Sequence, residues 1–197
     1  MSKSDPASAK KEKLKKIRWF VVVFIATIII SALISLGSEE LMDVSSTPVA
    51  FAILLAIILL GIVFDVIGVA VTSADEKPFH SMAARKVPGS QEAIQLLRNA
   101  EKVGSICNDV IGDICGVVSG SASATIAARV LHNFEFSWPR VIGLAMSALV
   151  AGLTVGGKAI GKTFAINSCT TIVHGVGRVI CWIRGISHIF NKSKTKS

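Results

Sequence analysis

The stretch Trp19–Leu36, WFVVVFIATIIISALISL, runs for 18 residues without a charge. A helix of this length and apolarity can cross the hydrocarbon core of a bilayer, which takes ~20 residues at ~1.5 Å each. Three further runs read the same way. Val49–Ala74 is interrupted by Asp65 alone, Val103–Leu131 is rich in Gly, Ala and Ser, and Val141–Gly157 is uncharged for 17 residues. Composition agrees, with 51% apolar and only 17% charged residues, against about a quarter charged in soluble domains. Trp19, Trp138 and Trp182 lie near the edges of apolar runs, where an amphipathic ring suits the headgroup interface. The chain is therefore expected to be all-α and polytopic, with four transmembrane helices. A basic start before an apolar run is also the pattern of a signal peptide. The first run exceeds the usual length of such a segment, so residues 19–36 are expected to remain as a helix.

The net charge of +8 is unevenly spread. Residues 1–18 hold seven Lys or Arg against two acids, Gly37–Pro48 holds no basic residue, 75–102 holds five, His132–Arg140 one, and 158–197 seven with no acid. Four crossings place the first, third and fifth of these segments on one side. The positive-inside rule makes that side the cytoplasm, giving a multi-pass cell-membrane protein with both termini inside. Basic ends flanking spans point to anionic lipid rather than nucleic acid as the partner. Residues 1–18 and 191–197 read as basic disordered tails.

Between the second and third runs, Pro78 and Pro88-Gly89-Ser90 divide a polar connector. Short surface helices are expected over Phe79–Lys86 and Gln91–Lys102, the second capped by Ser90. Near the C-terminus, Ile172, Val176, Val179, Ile183, Ile186 and Phe190 step by threes and fours, an amphipathic helix over 172–190. In the third run Gly112, Gly116 and Gly120 are spaced by four, which favours close helix packing in lipid.

Asp65, Asp109 and Asp113 fall inside apolar runs, and Asn108 adjoins two of them. A carboxylate in a span costs at least ~2.5–3.5 kcal/mol, so it usually faces the bundle interior and has a partner. Asp109 and Asp113 are four apart and would share an α-helical face. Three acids and an amide suit a hard divalent cation such as Mg²⁺. The alternative is that each acid pairs with a base such as Lys158, or lies near the interface. Cys107, Cys115, Cys169 and Cys181 form no CxxC pair and no zinc spacing with the four His, so they read as small apolar thiols. With no nucleophile–base pair either, an enzyme is not expected.

Three motifs resemble the transmembrane domain of the CNNM/CorC (CorB-type) magnesium and cobalt transporters over about residues 48–175. Phe64–Ala70, FDVIGVA, is similar to Phe-Ser-x-Ser-Glu-x-Ala, keeping Phe64 and Ala70. Asp65 and Ile67 replace the two serines, and Gly68 replaces the glutamate. Ile106–Gly112, ICNDVIG, is similar to Ile-Gly-Asn-Thr-x-x-Asn and keeps Asn108. Gly157–Lys162, GKAIGK, is similar to Gly-Glu-x-x-Pro-Lys, with Lys158 reversing the glutamate's charge and Gly161 replacing the proline. The resemblance implies a three-helix core behind one extra N-terminal helix, a homodimer, and Mg²⁺ or Co²⁺ held at Asn108 and at Asp65, in the first serine position; Asp109 and Asp113, which no family position supports, are added as carboxylates that would replace the one lost at Gly68. Of that set, only Asn108 carries over unchanged. The nucleotide-binding CBS pair usual after this domain has no counterpart within the chain, so ATP-linked regulation is not expected. Divalent cation transport or binding by alternating access is the leading expectation. A degenerate, non-transporting relative that scaffolds a partner through 172–190 and the basic tail is the alternative.

Overall fold

The computed structural model describes residues 6–133 and 139–194; the expected connector around Trp138 falls largely outside them. Among the described residues the chain is all-helical, with no strand. Its elements are α1 (Pro6–Val44), α2 (Thr47–Ser73), α3 (Lys77–Ala84), α4 (Ser90–Arg98), α5 (Ala100–Ser105), a π-helical segment (Ile106–Gly112), α6 (Asp113–Asn133), α7 (Pro139–Asn167) and α8 (Cys169–Lys194). Four stretches are long and apolar enough to cross a membrane: Ile17–Ser38, Thr47–Ser73, Ala100–Leu131 and Arg140–Asn167.

Several boundaries differ from the sequence expectation. Helix α1 has 39 residues, roughly 58 Å at the α-helical rise, so it outruns the bilayer. The Lys- and Glu-rich residues from Pro6 are helical rather than disordered. They are good helix formers joined to an existing helix, so they extend it without a new nucleation cost. The acidic connector shrinks because α1 runs on to Val44, leaving Ser45 and Ser46 before α2, which opens with Pro48 in its first turn. Helix α8 likewise runs through Lys194, and residues 195–197 lie outside the described part.

Two interactions fix how the connectors sort between the ends of the bundle. Lys102 Nζ stands 5.8 Å from the centre of the Trp19 ring, joining the start of the first span to the 75–102 connector. Arg129 Nη1 donates to the Ser45 carbonyl at 2.9 Å, joining the other end of α6 to the α1–α2 turn. The α6 end that carries Arg129 and the α1–α2 turn therefore lie at one end of the bundle.

Helix α2 is the hub, in contact with α1, α4, α5, α6, α7, α8 and the π segment. It is approached closely because its neighbours, or α2 itself, carry glycine at the contact. A Cβ at Gly61 would stand 2.8 Å from Cys115 Cβ, one at Gly104 2.7 Å from Thr72 Cγ2, and one at Gly161 2.7 Å from Val66 Cγ2. Small residues at crossings let backbones gain dispersion contacts where lipid offers no hydrophobic drive. The glycine stripe singled out in the sequence behaves otherwise: nothing lies within 4 Å of a Cβ built at Gly116 or Gly120. Those two face an open groove, and Gly112 faces charged groups described below.

Two cores result. Toward the α1–α2 turn, Ala50, Leu54 and Ile58 pack against Ala122, Ile126 and Val150. Toward the other end, Ala70 and Val71 gather Phe79, Ala93, Leu97, Ala165 and Val173, tying α3, α4 and α8 to the spans. Ser90 is not the cap expected of it. Gly89, at φ 84°, occupies the cap position, and Ser90 Oγ donates to the Val87 carbonyl at 2.6 Å. Left-handed backbone favours glycine here, and close approach demands it too, since a Cβ at Gly89 would meet the Arg178 backbone at 2.5 Å. A Cβ at Gly177 would overlap the Gly89 carbonyl oxygen. The face of α8 that docks is thus Val173 and Gly177, while Val179 and Ile183 from the expected apolar stripe are exposed beside Trp182. The side chains of Ile186 and Phe190 lie outside the described ones. Of the expected stripe, Ile172 packs partly buried against the same core, so the docked face is rotated toward Val173 and Gly177 rather than lost.

Gly161→Leu should destabilise the chain by ~1–3 kcal/mol through overpacking against Val66. Gly152→Ala, which meets nothing within 4 Å, should leave thermal unfolding in detergent unchanged or slightly later.

Candidate functional site

Three spans bring charge to one point. Asp65 stands on α2, about two turns before its end; Asp113 opens α6; Lys158 projects from α7 about two turns before its end. Lys158 Nζ donates to Asp113 Oδ1 at 3.3 Å and stands 4.0 Å from Asp65 Oδ1. The side chains of Asp65 and Lys158 are 16% and 23% exposed, that of Asp113 69%. Lys162 and Asp109 also lie within electrostatic reach of Asp65. The neighbourhood therefore holds three carboxylates and two ammonium groups. Its formal charge is negative by one, and its strongest contact is a charge-assisted hydrogen bond.

Glycine borders the gap that Lys158 crosses. A Cβ at Gly112 would lie 3.5 Å from Lys158 Nζ and 3.7 Å from Asp65 Oδ1, so the lysine crosses a gap that a side chain would narrow. The position that the sequence comparison identified with a family glutamate is Gly68. A Cβ there would overlap Asn108 Oδ1. Asn108 thus packs onto the bare backbone of α2, one turn from Asp65. Its Oδ1 is buried and has no hydrogen-bond partner among the described residues.

The four sequence-predicted residues are therefore divided. Asp65 and Asp113 meet at Lys158. Asn108 lies beside Gly68 on α2, one turn from Asp65. Asp109 is exposed and forms no ion pair among the described residues. The expectation that Asp109 and Asp113 share a face assumed α-helical winding throughout. Residues 106–112 form a π segment instead, with i→i+5 bonding that places one more residue in the turn. The residue that sequence reasoning placed only in the alternative pairing, Lys158, is the centre of the cluster. Its signal was the charge reversal in GKAIGK. Among the described residues no three His, Cys, Asp or Glu side chains converge as a metal cluster, and all four cysteines are free.

A groove of about 530 Å³ runs between α6 and α7 from this cluster. Asp113 and Lys158 form one end of its lining, and Ser119, Ser123, Ser147 and Thr154 lie along it.

No protein-family model matches the chain, and neither the curated proteins nor the solved structures yield a match. The CNNM/CorC resemblance accordingly rests on its three sequence motifs.

A double-mutant cycle tests the cluster. Lys158→Met with Asp65→Asn should show a coupling of ~1 kcal/mol or more in unfolding free energy, as expected for contacting charges. Lys158→Met with Asp109→Asn should be additive within ~0.5 kcal/mol.

Proposed function

We propose that this chain binds a divalent cation, Mg²⁺ first and Co²⁺ second, and carries it across the cell membrane. The ion would be held by Asp65, Asp113 and Asn108, with Asp109 at the periphery. The observation that supports this reading is that carboxylates from two separate spans meet a single cationic atom, Lys158 Nζ, at 3.3 and 4.0 Å. An ammonium held by two acids marks a position where positive charge is stabilised within the bilayer. The buried, unpartnered Asn108 Oδ1 is a neutral oxygen of the kind that completes a hard-cation shell. Ligands at ~2.1 Å would draw the carboxylates closer than the ammonium does, so ion entry requires Lys158 to withdraw. Alternating exposure of Asp65 and Asp113, with Lys158 leaving and returning, is the proposed cycle. Both termini are assigned to the cytoplasm, as the Lys/Arg distribution favours. The homodimer and the relation to CNNM/CorC proteins are proposed on the three motifs alone.

A second reading is a non-transporting membrane scaffold. It is favoured by the direct Lys158–Asp113 hydrogen bond, which already compensates one of the acids. The exposed apolar edge of α8, Val179, Trp182 and Ile183, would then be the partner-binding surface.

Thermal stabilisation by Mg²⁺ in detergent, paired with Mg²⁺ flux in proteoliposomes, separates the two readings. The double variant Asp65→Asn, Asp113→Asn should lose both responses. Lys158→Met should bind Mg²⁺ at least about tenfold more tightly, ~1.4 kcal/mol, because the tethered competitor is gone. A double acid variant with an unchanged Mg²⁺ response would remove the transport reading.

A further inference from the structure

The groove between α6 and α7 has features that a lipid-filled crease would not tolerate. Asp113, well inside the third span, presents a side chain that is 69% exposed. An ionised carboxylate facing hydrocarbon is costly, and water at the groove end relieves it. Ser123, on the groove wall, is 1% exposed, and its Oγ has no hydrogen-bond partner among the described residues. A buried hydroxyl in that state calls for a water or a ligand. Ser119 and Thr154 donate their hydroxyl hydrogens to the carbonyls of Gly116 and Val150, at 2.9 and 2.8 Å. Ser119 is buried, but Thr154 is partly exposed and its oxygen lone pairs remain as acceptors, which suits water and cations rather than anions. Gly116 and Gly120 leave the floor open, with nothing within 4 Å of an added Cβ.

At the charged end, Lys158 stands in two places at once. It lines the groove with Asp113, and it meets Asp65 at 4.0 Å on the far side. Asp65 itself does not line the groove. We propose that the α6–α7 groove is a water-filled access path for hydrated cations, and that Lys158 is the tethered ammonium that closes it against Asp65. The proposal rests on the cation reading above and adds the route and the selectivity device. A cation arriving at Asp113 must outcompete a covalently held monovalent charge. A divalent ion does so more readily than a monovalent one, because it interacts twice as strongly with each carboxylate.

The test uses the full chain in liposomes, with the four native cysteines replaced by Ala and single cysteines introduced. The probe is a charged, membrane-impermeant methanethiosulfonate. Gly120→Cys and Ser147→Cys should be modified at least about tenfold faster than Leu149→Cys, which lies outside the groove, because only a hydrated thiol forms the reactive thiolate. Asp65→Cys should stay unmodified while Lys158 is present and react once Lys158→Ala or Lys158→Gln is added. The pair of replacements guards against one of them misfolding, and elution as a single species on gel filtration verifies each. If Gly120→Cys and Ser147→Cys react no faster than Leu149→Cys, lipid or a second chain fills the groove and the proposal is overturned. If Asp65→Cys reacts equally with Lys158 in place, the closure is overturned. Labelling reads hydration and not Mg²⁺ binding. A wet, Lys158-closed groove in a protein with no Mg²⁺ response would therefore sink only the cation assignment, and a Mg²⁺ response with a dry groove would sink only the path.

Discussion

A charge within a bilayer has to be matched by another charge or by water, and in this protein that constraint joins three helices that have no other polar reason to meet. Lys158 on α7 satisfies Asp113 on α6 and approaches Asp65 on α2. Each of these side chains alone would oppose insertion of its span. Together they set the relative height of α2, α6 and α7. Apolar packing would set it only loosely, since lipid chains are as apolar as the side chains they replace. The glycines at positions 61, 112, 157 and 161 follow from this. They let the three helices come close enough for side chains of ordinary length to span the gap. Fixed close contact and fixed charge are thus two aspects of a single arrangement.

Much of the fold was legible because its signals are long. Eighteen uncharged residues at Trp19–Leu36 admit few other readings, and the other three spans are marked by apolar runs of similar length. The helix ends were less legible, since Lys-rich and Ser/Glu-rich flanks are polar and helix-compatible at the same time. Of the site, Asp65 and Asp113 were legible as acids out of place in apolar runs. Their common partner appeared only as one base among several, because pairing between spans is tertiary information. Asp109 lies outside the Lys158 ion pairs, beside a π segment that shifts the helical phase and that no residue type announces. The stripe of Gly116 and Gly120 reads in sequence as a close-packing surface, yet no helix approaches it within 4 Å of an added Cβ, because spacing of small residues does not say whether a neighbour comes to meet them.

The polar half of the molecule has its own logic. Helices α3, α4 and α8 are short of apolar surface for a core of their own. They borrow one from the end of α2, where Ala70 and Val71 meet Phe79, Leu97 and Val173. Polar contacts then set the angle between α4 and α8: His174 Nε2 lies 3.2 Å from the Pro88 carbonyl oxygen, and Arg184 reaches both Glu92 and Gln95. This platform covers the end of the bundle nearest the charged cluster, so motion of α7 against α2 would be felt by α8, which follows α7 after Ser168 alone.

The backbone contact between Gly89 and Gly177 has a consequence for the order in which the chain is made. Its two halves are separated by two complete spans, so α8 is synthesised after α6 and α7. Until it emerges, the face of α4 that carries Ala93 and Leu97 has Ala70, Val71 and Phe79 of α2 and α3 to pack on but lacks Val173, so its core is incomplete while α6 and α7 insert. Domains assemble from the N-terminus as they are produced, so this clasp closes last. It acts as a seal on a bundle already inserted rather than as a nucleus for it.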